Sequence, residues 1–177
     1  MSNKEDFFES KTPKYAWVMV FAVFVLSGLA FGSLASISVF LKPISSDLGW
    51  SRGETSLAYT VASFSAAFFG ILCGYLADKY GTRWFGLLGA IAMSMCLYFL
   101  SSQSSLLQFY FIYFLFGALA CALLFSPLYA NVGFWFREKP GLALGIAASG
   151  GAIGQAFIPH LSGYLIESSG WQSAYLS

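Results

Sequence analysis

The chain has 177 residues, of which 58% are apolar and 10% charged, with a net charge of +1 and a mean hydropathy of +0.70. A soluble domain carries roughly 25% charged residues, so the composition excludes one and points to an all-α membrane protein. It offers no basic patch for nucleic acid, and Cys73, Cys96 and Cys121 all fall in apolar segments as packing residues, not as a disulfide set or metal cluster.

Residues 1–14 form a polar leader of mixed charge, read as a short cytoplasmic tail. The apolar run that follows is too long for the core of a signal peptide, and further spans come after it. Residues 15–177 read as one transmembrane bundle. About 20 apolar residues cross the hydrocarbon core. Five segments meet that test: Tyr15–Phe40, Thr55–Ala77, Trp84–Leu100, Leu106–Tyr129 and Leu142–Ile166, and a sixth begins at Trp171. Each must be helical, because lipid offers no partner to a free backbone group.

A cytoplasmic N-terminus places Lys4, Lys11, Lys14, Lys79, Arg83, Arg137 and Lys139 inside and only Lys42 and Arg52 outside. That asymmetry follows the positive-inside rule, and Trp50, Trp84, Trp135 and Trp171 fall near span ends, where aromatic rings favour the interface. Glycines four apart (Gly28 and Gly32, Gly70 and Gly74, Gly150 and Gly154) mark helix faces expected to pack closely.

Between the second and third spans runs Gly74-Tyr75-Leu76-Ala77-Asp78-Lys79-Tyr80-Gly81-Thr82-Arg83. Its Gly74-Tyr75-Leu76-x-Asp78-x-x-Gly81 frame recurs as Gly163-Tyr164-Leu165-x-Glu167-x-x-Gly170, with three spans between the copies. The copies therefore lie on opposite membrane faces, as in an inverted three-plus-three repeat. The inner copy resembles the signature loop of the major facilitator superfamily, G-x-L-A-D-[RK]-x-G-x-[RK], with every fixed position filled.

This resemblance implies an N-terminal bundle of a facilitator-type transporter, here five helices plus the start of a sixth. The second bundle is expected outside this sequence. It also implies that Gly74, Asp78, Lys79, Gly81 and Arg83 form a gate. The matching acid docks on a helix N-terminus of the second half, an interaction of about 1–2 kcal/mol. The alternative is that Asp78, Lys79 and Arg83 only anchor topology.

A narrower resemblance, to monocarboxylate and oxalate/formate-type transporters, rests on three stretches. They are Leu48-Gly49-Trp50-Ser51-Arg52-Gly53-Glu54-Thr55-Ser56, Trp135-Phe136-Arg137-Glu138-Lys139-Pro140-Gly141-Leu142-Ala143-Leu144-Gly145-Ile146-Ala147, and Gly170-Trp171-Gln172-x-Ala174-Tyr175. It implies transport of a small organic anion, with a proton or counter-anion as the candidate companion, by a multi-pass protein of a cell membrane. Some members carry a lysine where Ala35 stands, and many superfamily members carry an arginine where Tyr113 precedes Gly117. The superfamily's antiporters carry a Gly-Pro pair where this chain has Gly150-Gly151.

No Asp, Glu, Lys or Arg lies in mid-span. The pore candidates are therefore neutral: Phe31 and Ala35 on the first span, Ser126 and Tyr129 on the fourth, Gln155 and His160 on the fifth. Tyr129 reads equally as an interfacial anchor. His160 reads as a proton carrier or as an outer-end residue bonded to water or backbone. No cofactor, metal or catalytic constellation is expected. Two other functional readings stay open: a non-transporting half-length or regulatory membrane subunit, and a facilitator for sugars or drugs.

Overall fold

The computed structural model describes residues 14–136 and 140–176. The leader, the charges of Arg137, Glu138 and Lys139, and Ser177 lie outside the described residues, as do the side chains of Lys14 and Arg83. The order is α1 (Lys14–Ala35), α2 (Ile37–Leu48), α3 (Arg52–Tyr80), α4 (Arg83–Ser101), α5 (Leu106–Leu115), a π-helical turn (Phe116–Cys121), α6 (Ala122–Trp135), α7 (Pro140–Ser169) and α8 (Trp171–Leu176). α1 and α2 form one span, Tyr15–Leu48, and α5, the π turn and α6 form another, Leu106–Trp135. With α3, α4 and α7 they make, among the described residues, five helices long and apolar enough to cross a membrane. The chain is an all-α membrane bundle, and α8 is the start of a sixth helix.

Every helix runs past the bounds that hydropathy suggested, because capping groups end the helices and apolar runs do not. The second span begins at Arg52, where Ser51 and Glu54 form a capping box: Ser51 Oγ accepts from Glu54 N–H at 3.2 Å, and Glu54 accepts from Ser51 N–H at 2.8 Å. The first span continues beyond Phe40 to Leu48 and stops at Gly49, which is left-handed with φ +69°. The fourth span starts after Ser105, whose hydroxyl accepts from Gln108 N–H at 3.2 Å.

Two helix pairs organise the bundle. α1 packs along α7 through glycine: a Cβ on Gly154 would collide with the Gly28 carbonyl, and one on Gly150 with the Phe24 carbonyl. Gly32 is closed in by Ile158 and by the Gly154 carbonyl, and Ser27 Oγ donates to the Ala147 carbonyl at 3.2 Å. α3 packs along the fourth span in the same manner. A Cβ on Gly117 would collide with the Ala62 carbonyl and the Ser65 hydroxyl. Ser65 Oγ in turn donates to the Phe114 carbonyl at 3.0 Å, beside the π turn. Gly70 does not belong to such a seam: nothing stands within 4 Å of a Cβ built there. Spacing alone does not say which way a glycine face points.

The echo in sequence is also an echo in backbone. Gly81 and Gly170 both have φ +81°, and each donates its N–H back four residues, to Ala77 at 2.8 Å and to Ile166 at 3.0 Å. Both turns thus end a long helix and start the next within two residues. Gly154→Ala and Gly117→Ala should each lower stability by about 1–3 kcal/mol, read as a fall in melting temperature in detergent. Gly70→Ala should be neutral or slightly stabilising, because it replaces glycine by alanine in open space.

Candidate functional site

Asp78 and Lys79 stand exposed on the last turn of α3, with the Lys79 ammonium 5.3 Å from the Tyr80 ring centre. Among the described residues Asp78 has no ion pair or hydrogen-bond partner. Gly74, one turn earlier, faces the fourth span: a Cβ there would lie 2.9 Å from Ser126 Oγ. The loop itself is tied to α6. Asn131 Nδ2 donates to Thr82 Oγ1, and Trp135 Nε1 donates to Asn131 Oδ1 at 3.0 Å. Neither Thr82 nor Asn131 stood out in the sequence; the available signal was an amide inside an otherwise apolar span.

Four pore candidates share one flank. Phe31 of α1 stacks on Phe125 of α6, centroids 4.0 Å apart and planes at 15°. A Cβ on Gly151 would sit 2.7 Å from the Phe31 ring, so α7 closes the other side. Ala35 and Tyr129, both half-buried, lie one turn from Phe31 and from Phe125 respectively. Gln155, exposed, lies one turn from Gly151. It falls near the middle of α7, about 22 Å from either end at 1.5 Å per residue, and so near the membrane midplane. Phe125, absent from the sequence candidates, is the centre of this flank.

Ser126 and His160 lie elsewhere. Ser126 is adjacent in sequence to Phe125, so it projects about 100° away, toward Gly74. His160 is exposed in an open groove of about 840 Å³, with Val39, Tyr164 and Glu167 among its walls.

The end of the bundle opposite the signature loop is a polar and aromatic clamp. Trp171 Nε1 donates to Asp47 Oδ2 at 2.6 Å, and the Tyr113 and Tyr175 hydroxyls lie 3.3 Å apart. Phe40 stacks on Tyr175 at 4.0 Å. Trp171 is buried, 4% exposed, whereas Trp84 is 63% exposed. Trp171 is therefore a docking residue for α8 and not an interfacial ring. Tyr113, in the place of the superfamily arginine, is buried in the same clamp. Trp171→Phe and Asp47→Ala should each cost about 1–2 kcal/mol. In a double-mutant cycle by thermal unfolding, the pair together should cost little more than either alone.

A family model described as Major Facilitator Superfamily matches residues 17–177. The chain is similar to Monocarboxylate transporter 6 of Homo sapiens, 29% identical over 162 residues, 92% of this chain and 32% of that protein. It is similar to Monocarboxylate transporter 3 of Rattus norvegicus, 28% identical over 162 residues, 92% of this chain and 33% of that protein. It is also similar to Riboflavin transporter RibJ of Trypanosoma brucei brucei, 33% identical over 159 residues, 85% of this chain and 29% of that protein. The chain spans about a third of the length of these relatives.

Proposed function

The chain belongs to the Major Facilitator Superfamily, and on that premise we propose that it forms the first bundle of a transporter for small organic anions of the monocarboxylate class. The observation that carries the substrate class is the similarity to monocarboxylate transporters over 92% of the chain. The flank between α1, α6 and α7 supports it. An apolar wall of Phe31, Phe125 and Ala35 bears two neutral polar heads, Tyr129 and Gln155, at the depth where such carriers bind. Neutral donors orient a carboxylate in a mostly apolar pocket, and its countercharge comes from the second bundle or from a co-transported proton. His160 stands apart from this flank and is the proton-carrying candidate for the outer half.

Transport proceeds by alternating access. The N-terminus lies in the cytoplasm, and the Asp78 loop closes the inner mouth against a helix end of the second bundle. A second reading is favoured by the riboflavin relatives and by the stacked Phe31–Phe125 pair: a flat aromatic solute taken up against the same wall.

Uptake of labelled pyruvate, lactate and riboflavin by cells expressing the complete gene separates the two readings. Saturable carboxylate uptake is expected, and riboflavin uptake without it supports the second. Tyr129→Ala should alter preference among carboxylates at unchanged surface level; a change in surface level alone makes Tyr129 an anchor. Asp78→Asn should cost about 1–2 kcal/mol at the gate, a roughly five- to thirtyfold slower turnover, with half-saturation nearly unchanged.

A further inference from the structure

We infer that Asn131 is a positioning residue for the signature loop: it ties the Gly81–Thr82 turn to α6, so that the loop moves with the helix that carries Phe125 and Tyr129. This role rests on the proposed gating function of the loop and adds the link between gate and pore wall.

Thr82 stands at the N-cap of α4, where a threonine oxygen ordinarily accepts from an N–H of the first turn. Here it makes no such bond, and its backbone is helical, at φ −91° and ψ −8°. The oxygen accepts from Asn131 Nδ2 instead. A residue suited to capping its own helix is thus engaged by another one.

The amide is held in one orientation. Its Oδ1 is occupied by the Trp135 indole N–H, one turn further along α6, which leaves the NH₂ end to face Thr82. The Trp135 ring is fixed in turn by an edge-on contact with Tyr15 of α1, centroids 5.9 Å apart. The remaining walls are apolar: Met19, Leu26, Gly86 and Leu128 line a cleft of about 480 Å³ with the polar trio at its side. An amide in such a place is costly unless satisfied, and Thr82 and Trp135 occupy one end of it each. α6 is a helix of 14 residues with Pro127 inside it, and Tyr129 and Asn131 both lie on the C-terminal side of that proline. A shift at Tyr129 on substrate binding therefore moves Asn131, and Asn131 carries the turn that follows Asp78.

The test uses the full-length protein in native membranes, with a reporter cysteine at Ala152, exposed on α7 and on the same face as Gln155. The rate of labelling by a membrane-impermeant maleimide added from outside reports how often the cavity opens outward, whatever the substrate. Thr82→Val removes the hydroxyl at constant shape, Asn131→Leu removes the amide, and Thr82→Ser restores the hydroxyl. The Val and Leu variants should shift the rate in the direction of Asp78→Asn by about threefold or more, the effect of one interhelical hydrogen bond in lipid. Thr82→Ser should not shift it. Thr82→Ala replaces the Val variant if that one fails to insert.

A shift with Asp78→Asn but not with Thr82→Val and Asn131→Leu overturns the positioning role and leaves the gate standing. A shift with the latter two alone upholds the positioning role and removes Asp78 from the gate. No shift in any variant, or a Thr82→Ser variant that behaves like Thr82→Val, overturns the positioning role.

Discussion

Backbone-to-backbone approach across two helix pairs is the contact on which the rest of this bundle depends. Lipid gives no hydrophobic drive for one apolar helix to leave it for another, so association relies on close fit and on polar groups that find partners. Gly28, Gly150 and Gly154 bring α1 onto α7, and Gly117 brings the fourth span onto α3. Each seam adds a serine that donates to a carbonyl of the facing helix, Ser27 to Ala147 and Ser65 to Phe114. An inverted three-plus-three repeat would exchange first with fourth spans and second with fifth, and so map one pair onto the other. The first seam places Phe31 against Gly151, and the second brings Gly74 to Ser126.

Much of this was legible in the residues. The count of spans, the signature loop, the turn glycine Gly81 and the glycine faces of the first and fifth spans follow from apolar length, motif and glycine spacing; that these two faces meet each other does not. Helix ends were misplaced because caps such as Ser51 with Glu54 lie beyond the apolar run. Gly70 was misread because a four-residue spacing fixes a shared face but not what the face meets. Trp171 was misread because a tryptophan near a span end serves the interface or a buried acid equally well, and only the position of Asp47 decides. Phe125 and the Thr82–Asn131 contact were invisible for a related reason: each depends on a residue far away in sequence that becomes a neighbour only through helix packing.

The two ends of the bundle are built differently although their turns share one backbone shape. At the end opposite the signature loop the turn after Gly170 is pinned, since Trp171 is bonded to Asp47 and Tyr175 is stacked on Phe40. At the signature-loop end Asp78 and Lys79 stay exposed, and among the described residues the tie to the bundle from this turn is the uncharged one through Thr82. On the proposed reading that contrast has a use: the outer turn fixes the sixth helix in place, and the inner turn keeps its charge free for a partner that comes and goes.

The π turn at Phe116–Cys121 holds one residue more than an α-helix needs for the same rise. Deleting a single residue there would wind the fourth span into an unbroken α-helix and leave its two halves facing as they do now. Tyr129 would stay on the side of Phe31, and Asn131 on the side of Thr82, each one number lower. A relative without the extra residue therefore matches this one, position for position, on only one side of the turn. A one-residue gap belongs within 116–121, and a gapless pairing of the two helices assigns the wrong neighbours to either the N-terminal or the C-terminal half.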